Sequence, residues 1–241
     1  MGRLVARAVS EAGDLDLVAC FDPGCVGETV EGLPVGDDPD IASSADVVVE
    51  FTVPAVVQEN LRTWRRLGVH TVVGTSGFDK AAVERVGEHW GEGPPRCLIV
   101  PNFSIGAVVM MRLAELAAPH FDAAEVIELH HDRKVDAPSG TAVATAQRMA
   151  EANPDVGKLD GAGEAAAARG ADVSGVAVHA VRLPGLVAHQ EVMLGGQGET
   201  LSIRHDTTDR SAFMPGVLLA VRSVAQLDDP VTFGIESLLG L

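Results

Sequence analysis

The chain has 241 residues, 46% of them hydrophobic and 22% charged, with 18 Lys and Arg against 34 Asp and Glu for a net charge of −16. That length and apolar content suit one large domain or two modest ones with a real core, and exclude wholesale disorder. The acidic balance excludes a general nucleic-acid binder, and no uncharged apolar run approaches the ~20 residues that a membrane span requires.

The N-terminal stretch MGRLVARAVSEAGDLD carries Leu4, Val5, Ala8 and Val9 at helical spacing, with Gly13 where a helix would stop. It lacks the small-residue cleavage site of a signal peptide. LDLVACFD (15–22) reads as a strand ending in Asp22, followed at once by the turn pair Pro23-Gly24. DVVVEFT (46–52) is a second strand, and Pro54 can open a helix over 55–67. GVHTVVGT (68–75) is a third strand, a helix follows from about Lys80 to His89, and RCLIVPNF is a fourth strand. Buried apolar strands alternating with helices predict a doubly wound parallel sheet of α/β type. Cys20, Cys25 and Cys97 are odd in number and form no CxxC pair, so no disulfide framework is expected and a reducing cytoplasm fits best.

After Asn102 the pattern changes. A helix over Ile105–Ala118 leads to a strand at 125–131 and a helix from Thr141 to Ala152, and the Ala-, Gly- and Asp-rich stretch 153–175 reads as a mobile loop. VAVHAVRL, HQEVMLGG and ETLSIRHD are strand-like runs separated by turn residues, which predicts an open antiparallel or mixed sheet in a second, α+β domain. A closing helix is expected over 213–227.

The segment 128–142, ELHHDRKVDAPSGTA, carries the chemistry. Strand alternation puts Glu128, His130 and Asp132 on one face and Leu129 and His131 on the other. Ser139 reads as an N-cap, with Gly140 and Thr141 opening a helix whose free N–H groups and dipole suit an anion. Two imidazoles, Arg133 and Lys134 beside such a cradle form a local positive island for a small acidic substrate on an acidic protein. No metal is expected, because adjacent strand residues point apart and Arg133 and Lys134 repel a cation. The set suits proton transfer instead. Asp22, Gly74-Thr75-Ser76 and 100–106 all fall at strand carboxyl ends, where dinucleotide-binding sheets hold their ligands.

The segments VVVEFTVP, VVGTSGF, VPNFSIGAV, ELHHDRKVDAPSGTA, AARGADVSG (167–175), VHAVRLPGLVAHQEV and GETLSIRHD resemble, over essentially the whole chain, the 4-hydroxy-tetrahydrodipicolinate (dihydrodipicolinate) reductases of bacterial lysine and diaminopimelate biosynthesis, especially actinobacterial ones. The resemblance implies a Rossmann-like dinucleotide-binding domain over 1–102 and 213–241, and a substrate-binding and tetramerisation domain over 103–212. It implies a cytoplasmic homotetramer reducing a cyclic dicarboxylate with loss of water, using NADH or NADPH. By position, His130 matches the family's proton donor and acceptor, Lys134 its proton donor, and His131, Gly140 and Thr141 its substrate contacts. Met1, Asp22, Phe51, Thr52, Gly74, Thr75, Ser76, Val100, Pro101, Asn102 and Phe103 match its cofactor contacts. The family usually has Thr at position 76 and Ala at position 100, and both replacements leave the backbone contact possible. Asp22 followed by Pro-Gly, with no adjacent Arg for a 2′-phosphate, favours NADH. The family also opens with a strand and a GxxGxMG loop, and Met1-Gly2 align with the end of that loop. The expectation from this comparison is a start set late, with Met1 the loop's internal methionine. The competing reading is a truncated, non-catalytic paralogue that binds small dicarboxylates and oligomerises. Arg182 and Arg210 stay open between substrate contact and structural pairing.

Overall fold

Residues 1–157 and 168–241 are described by the computed structural model, and they divide into two units, Met1–Ile105 with Phe213–Leu241, and Gly106–Ala212. In the first unit, α1 (Gly2–Glu11) turns Val5, Ala6, Ala8 and Val9 inward. The run predicted as a strand over 15–22 is much shorter, leaving only β1 (Cys20–Phe21). A strand persists only where a partner takes its backbone groups. Here β3 (Leu33–Gly36) pairs with just Cys20 and Phe21, in parallel. β3 also closes a hairpin with β2 (Thr29–Val30) that sequence reading missed. Its turn, Glu31-Gly32, has φ of 47° and 83°, the paired positive values of a primed hairpin turn.

The main parallel sheet runs β12-β6-β5-β4, from β4 (Val47–Glu50), β5 (His70–Val73), β6 (Cys97–Ile99) and β12 (Val231–Phe233). β1 and β4 each lie at the edge of their own sheet, so the parallel strands of this unit occupy two sheets. α2 (Pro54–Leu67) begins at Pro54, whose missing N–H costs nothing in a first turn, and ends at Gly68 in the left-handed region, φ 75°. α3 (Lys80–Trp90) is capped by Asp79, whose Oδ1 accepts from Ala82 N at 2.7 Å. Val57, Leu61 and Trp64 of α2 and Val86 and Trp90 of α3, one face of each helix, pack with Val73, Cys97 and Ile99 of the sheet. The closing helix is shorter than predicted: α6 (Met214–Ser223) gives way to a 3₁₀ turn over Val224–Gln226. A Cβ on Gly216 would lie 2.1 Å from the Phe103 carbonyl oxygen, so α6 sits directly on the backbone that follows β6.

The second unit is the predicted open mixed sheet, ordered β11-β10-β7-β9-β8. It contains α4 (Ile105–Ala117), β7 (Ala123–His130), α5 (Gly140–Ala152), β8 (Ala171–Val173), β9 (Val176–Arg182), β10 (Ala188–Gly196) and β11 (Glu199–Thr207). β7 and β9 pair in parallel and the other neighbours are antiparallel. Along β7, Ala124, Val126 and Glu128 are buried while their neighbours are half-buried, the period-2 pattern of a sheet with one covered face. Ala124, Val126, Val178, Val192 and Leu194 form one core with Ala142, Ala146 and Met149 of α5. Of the stretch expected as a mobile loop, 158–167 lies outside the described residues, as does the first residue of the 167–175 segment, and the remainder includes β8. Among the described residues no helix is long and apolar enough to cross a membrane.

Candidate active site

β7 ends at His130, so the predicted alternation holds for Glu128, Leu129 and His130, while His131 and Asp132 fall beyond the strand and its alternation does not place them. Glu128 and His130 share the face covered by α5, so the Glu128 carboxylate enters the core and its side chain is fully buried. A buried carboxylate must be matched by donors, and this one is. His130 Nδ1 lies 2.6 Å from Oε2, Arg182 donates Nη1 to Oε2 at 2.8 Å and Nη2 to Oε1 at 2.7 Å, and Ser139 N donates to Oε1 at 3.0 Å. Burial raises the Glu128 pKa, but the bonds from Arg182 and His130 outweigh it and hold the carboxyl below its ordinary value. Burial also lowers the His130 pKa. The Glu128 bond and charge oppose that, Lys134 and Arg182 add to it, and the net direction is down.

The loop from His131 to Ser139 turns tightly, with Lys134 N donating to the His131 carbonyl at 3.1 Å. Of the positive island expected from the sequence, Lys134 is matched by a carboxylate of its own loop. Lys134 Nζ donates to both carboxylate oxygens of Asp136, at 2.7 and 2.8 Å, and holds that carboxyl below its usual range. Arg182 Nη2 also donates to the Asp136 carbonyl at 2.6 Å, so the arginine left open between two roles is a clamp on this loop. Arg210 is exposed and makes no ion pair among the described residues. Ser139 caps α5 as predicted, its Oγ accepting from Ala142 N at 3.2 Å. Gly140 is the first residue of α5, and a Cβ there would meet nothing within 4 Å, so the approach to the helix start is open. Thr141 follows, half-buried. His131 Nδ1 is buried and makes no hydrogen bond among the described residues. No group of three His, Cys, Asp or Glu among those residues could hold a metal ion.

In the first unit, the predicted cofactor residues other than Met1 and Asp22 gather at the carboxyl ends of β4, β5 and β6. Thr75 Oγ1 accepts from Thr52 N at 2.9 Å and donates to the Glu50 carbonyl at 3.4 Å. The Phe51 and Phe103 rings lie 5.4 Å apart across Gly74, where a Cβ would fall 2.2 Å from Phe51 and 2.7 Å from Phe103. Val100 N donates to Val73 O at 2.8 Å, and Asn102 Oδ1 accepts from Ser104 N at 2.9 Å. Pro101 and Ser76 are exposed beside them. Glu50, which sequence reading passed over, is a buried carboxylate beneath this cluster, bonded to Thr52, Asn60 and Trp64. Asp22 stands exposed at the end of β1, its Oδ1 accepting from Gly24 N at 2.9 Å, and Met1 heads α1 with its carbonyl accepting from Leu4 N and Val5 N. The exposed acid Asp22 and the exposed Thr52, Ser76 and Pro101 after parallel strands fit the ribose and the extended body of a nicotinamide dinucleotide.

Two family descriptions match this chain, "Dihydrodipicolinate reductase, N-terminus" over residues 1–103 and "Dihydrodipicolinate reductase, C-terminus" over residues 106–239. The chain belongs to the dihydrodipicolinate reductase family. Family members named 4-hydroxy-tetrahydrodipicolinate reductase from Cutibacterium acnes and Thermobifida fusca are each 50% identical to it, aligning over 100% of this chain and 95% of theirs. A solved, dipicolinate-bound dihydrodipicolinate reductase from Paenisporosarcina sp. TG-14 is 34% identical with a TM-score of 0.83, over 98% of this chain and 94% of that one. Membership of the reductase family implies a nicotinamide cofactor and an oxidoreductase activity.

Proposed function

We infer that this chain is a nicotinamide-dependent 4-hydroxy-tetrahydrodipicolinate reductase acting in lysine and diaminopimelate biosynthesis. The observation that carries the reading is the bonding of His130 and the start of α5 to one buried carboxylate, with Lys134 charged beside them. The N–H groups and dipole at Gly140 and Thr141 receive a substrate carboxylate. His131 supports them, because a buried ring nitrogen without a partner gains most from a bound polar group. His130 and Lys134 hold the proton that the reduced ring requires, and Asp136 aims the lysine by accepting from its Nζ.

When bound, the reduced nicotinamide supplies a hydride. Asp22 takes ribose hydroxyls, and Met1, Phe51, Thr52, Gly74 to Ser76 and Val100 to Phe103 line the dinucleotide. NADH is the favoured cofactor, since Asp22 is followed by Pro-Gly and the guanidinium of Arg3 is paired with Glu28 rather than open to a 2′-phosphate. The outer face of the second unit's sheet, carrying half-buried Ile127, Leu129 and Met193, joins protomers into a cytoplasmic homotetramer. The non-catalytic alternative is not favoured, because relatives that share half of its residues over its whole length carry the reductase name.

The test is loss of nicotinamide absorbance when the purified chain meets freshly made substrate with NADH or NADPH, with light scattering for the oligomer. Turnover with a higher kcat/KM for NADH, inhibited by dipicolinate, is expected. Dipicolinate binding without turnover would transfer the case to the non-catalytic reading.

A further inference from the structure

We propose that Glu128 is the positioning residue of this site: its carboxylate fixes the proton-bearing nitrogen of His130 and ties that ring to the start of α5, so that proton donor and carboxylate cradle are set by one group. The assignment rests on the reductase reading for its purpose, but its geometry stands alone. Glu128 is fully buried and receives four hydrogen bonds, from His130, Ser139 and twice from Arg182. A carboxylate kept ionised by a guanidinium and a backbone N–H has no proton to give, so it can only accept. His130 Nδ1, 2.6 Å away, therefore carries a hydrogen in both charge states of the ring. The proton that comes and goes is on Nε2. When His130 acts, the Nε2–H bond breaks, the proton passes to the substrate, and the ring is left neutral with its Nδ1–H still on Glu128.

The charges around His130 come from every neighbouring segment. Glu128 precedes it on β7, and Arg182 of β9 is its direct register partner on one side. Ala188 of β10, uncharged, is its partner on the other. Lys134 and Asp136 lie on the loop that follows, and the positive end of α5 reaches the same carboxylate through Ser139 N. Glu128 and Asp136 are the anions in this set, and Asp136 is spent on Lys134. Replacing Glu128 by Gln removes the anion bonded to His130 and leaves Lys134 and Arg182 beside it, and an amide N–H can then donate to Nδ1 and reverse the tautomer.

Long-range proton–nitrogen correlation spectra of the ¹⁵N-histidine-labelled full chain, assigned with a His130→Asn variant, test this directly. Neutral His130 is expected with its hydrogen on Nδ1. In Glu128→Gln its titration should move at least about one pH unit lower, as should the limb of kcat/KM that reports it. Arg182 and the fold are checked by the melting temperature. A wild-type ring carrying its hydrogen on Nε2 would overturn the assignment even if Glu128→Gln does not fold, as would an unchanged titration in a folded variant. Should the Nδ1 tautomer be found in a chain that does not turn over, the reductase reading falls and the positioning role of Glu128 stands.

Discussion

Among the described residues Lys134 makes one ion pair, with the exposed carboxylate of Asp136, and the proposed function has a substrate take that partner's place. Lys134→Met should lower kcat by about 10²-fold or more, the usual contribution of a positioned general acid. Dipicolinate affinity should change far less, since the proposed carboxylate cradle belongs to α5; stopped-flow turnover and calorimetric titration separate the two. Gly74 tests the other unit. Gly74→Ala drives a methyl into Phe51 and Phe103, so one ring must move, and overpacking of this kind costs about 1–3 kcal/mol. A lower urea midpoint together with a raised KM for NADH is expected, with dipicolinate binding preserved. At this scale much of the site was legible. Alternation alone put Glu128 beside His130, and the Ser139 cap and the start of α5 followed from residue type. The clamp was not legible, because Arg182 lies 54 residues from Glu128 and only the parallel register of β7 and β9 brings them together.

Helix starts were readable where Pro54 opens α2 and Ser139 caps α5, whereas Gly68, the end of α2, reads as part of the following strand and the Asp79 cap of α3 was passed over. Short strands were harder. β1 and β12 have two and three residues, and what makes them strands is a partner, which no local pattern reveals. The β2–β3 hairpin did carry a signal in Glu31-Gly32 between apolar pairs, and Pro34 within the second arm obscured it. α5 gives the prediction proper to this scale. Ser139→Ala removes its cap at a cost of about 1 kcal/mol, and disorder in the first turn should raise KM for the dicarboxylate. KM for NADH, read in the same steady-state series, should stay within twofold or so of wild type if the cradle is on α5 alone.

Across the whole molecule, buried titrating groups set the pH range of stability. Burial lowers His70, His130 and His205 from 6.5, so below that pH the unfolded chain takes up protons that the folded one refuses, and stability falls as the pH drops. Glu128 adds to the loss at lower pH: its pKa is depressed from 4.5, so its contribution is present above that value and disappears as pH falls through the folded value. Cys20 and Cys97 act in the opposite sense. Burial raises them from 9.0, so they favour the folded state less once the unfolded thiols ionise above that pH. Acidification also relieves repulsion in a chain of net charge −16, but that long-range repulsion is screened over about 8 Å at physiological salt. Melting temperatures should therefore form a plateau between about pH 7 and pH 9 and decline on both sides.

The first unit is assembled from both ends of the chain, while Gly106–Ala212 is continuous. On a ribosome, the second unit is complete before the residues that close the first have been made. Until Val231–Phe233 emerges, Cys97–Ile99 keeps one apolar edge bare, and the loop after it waits for Gly216 to settle upon Phe103. A nascent chain paused near residue 212 thus exposes a finished mixed-sheet unit and an unfinished parallel sheet, and the first unit closes only once residues 213–241 have been made.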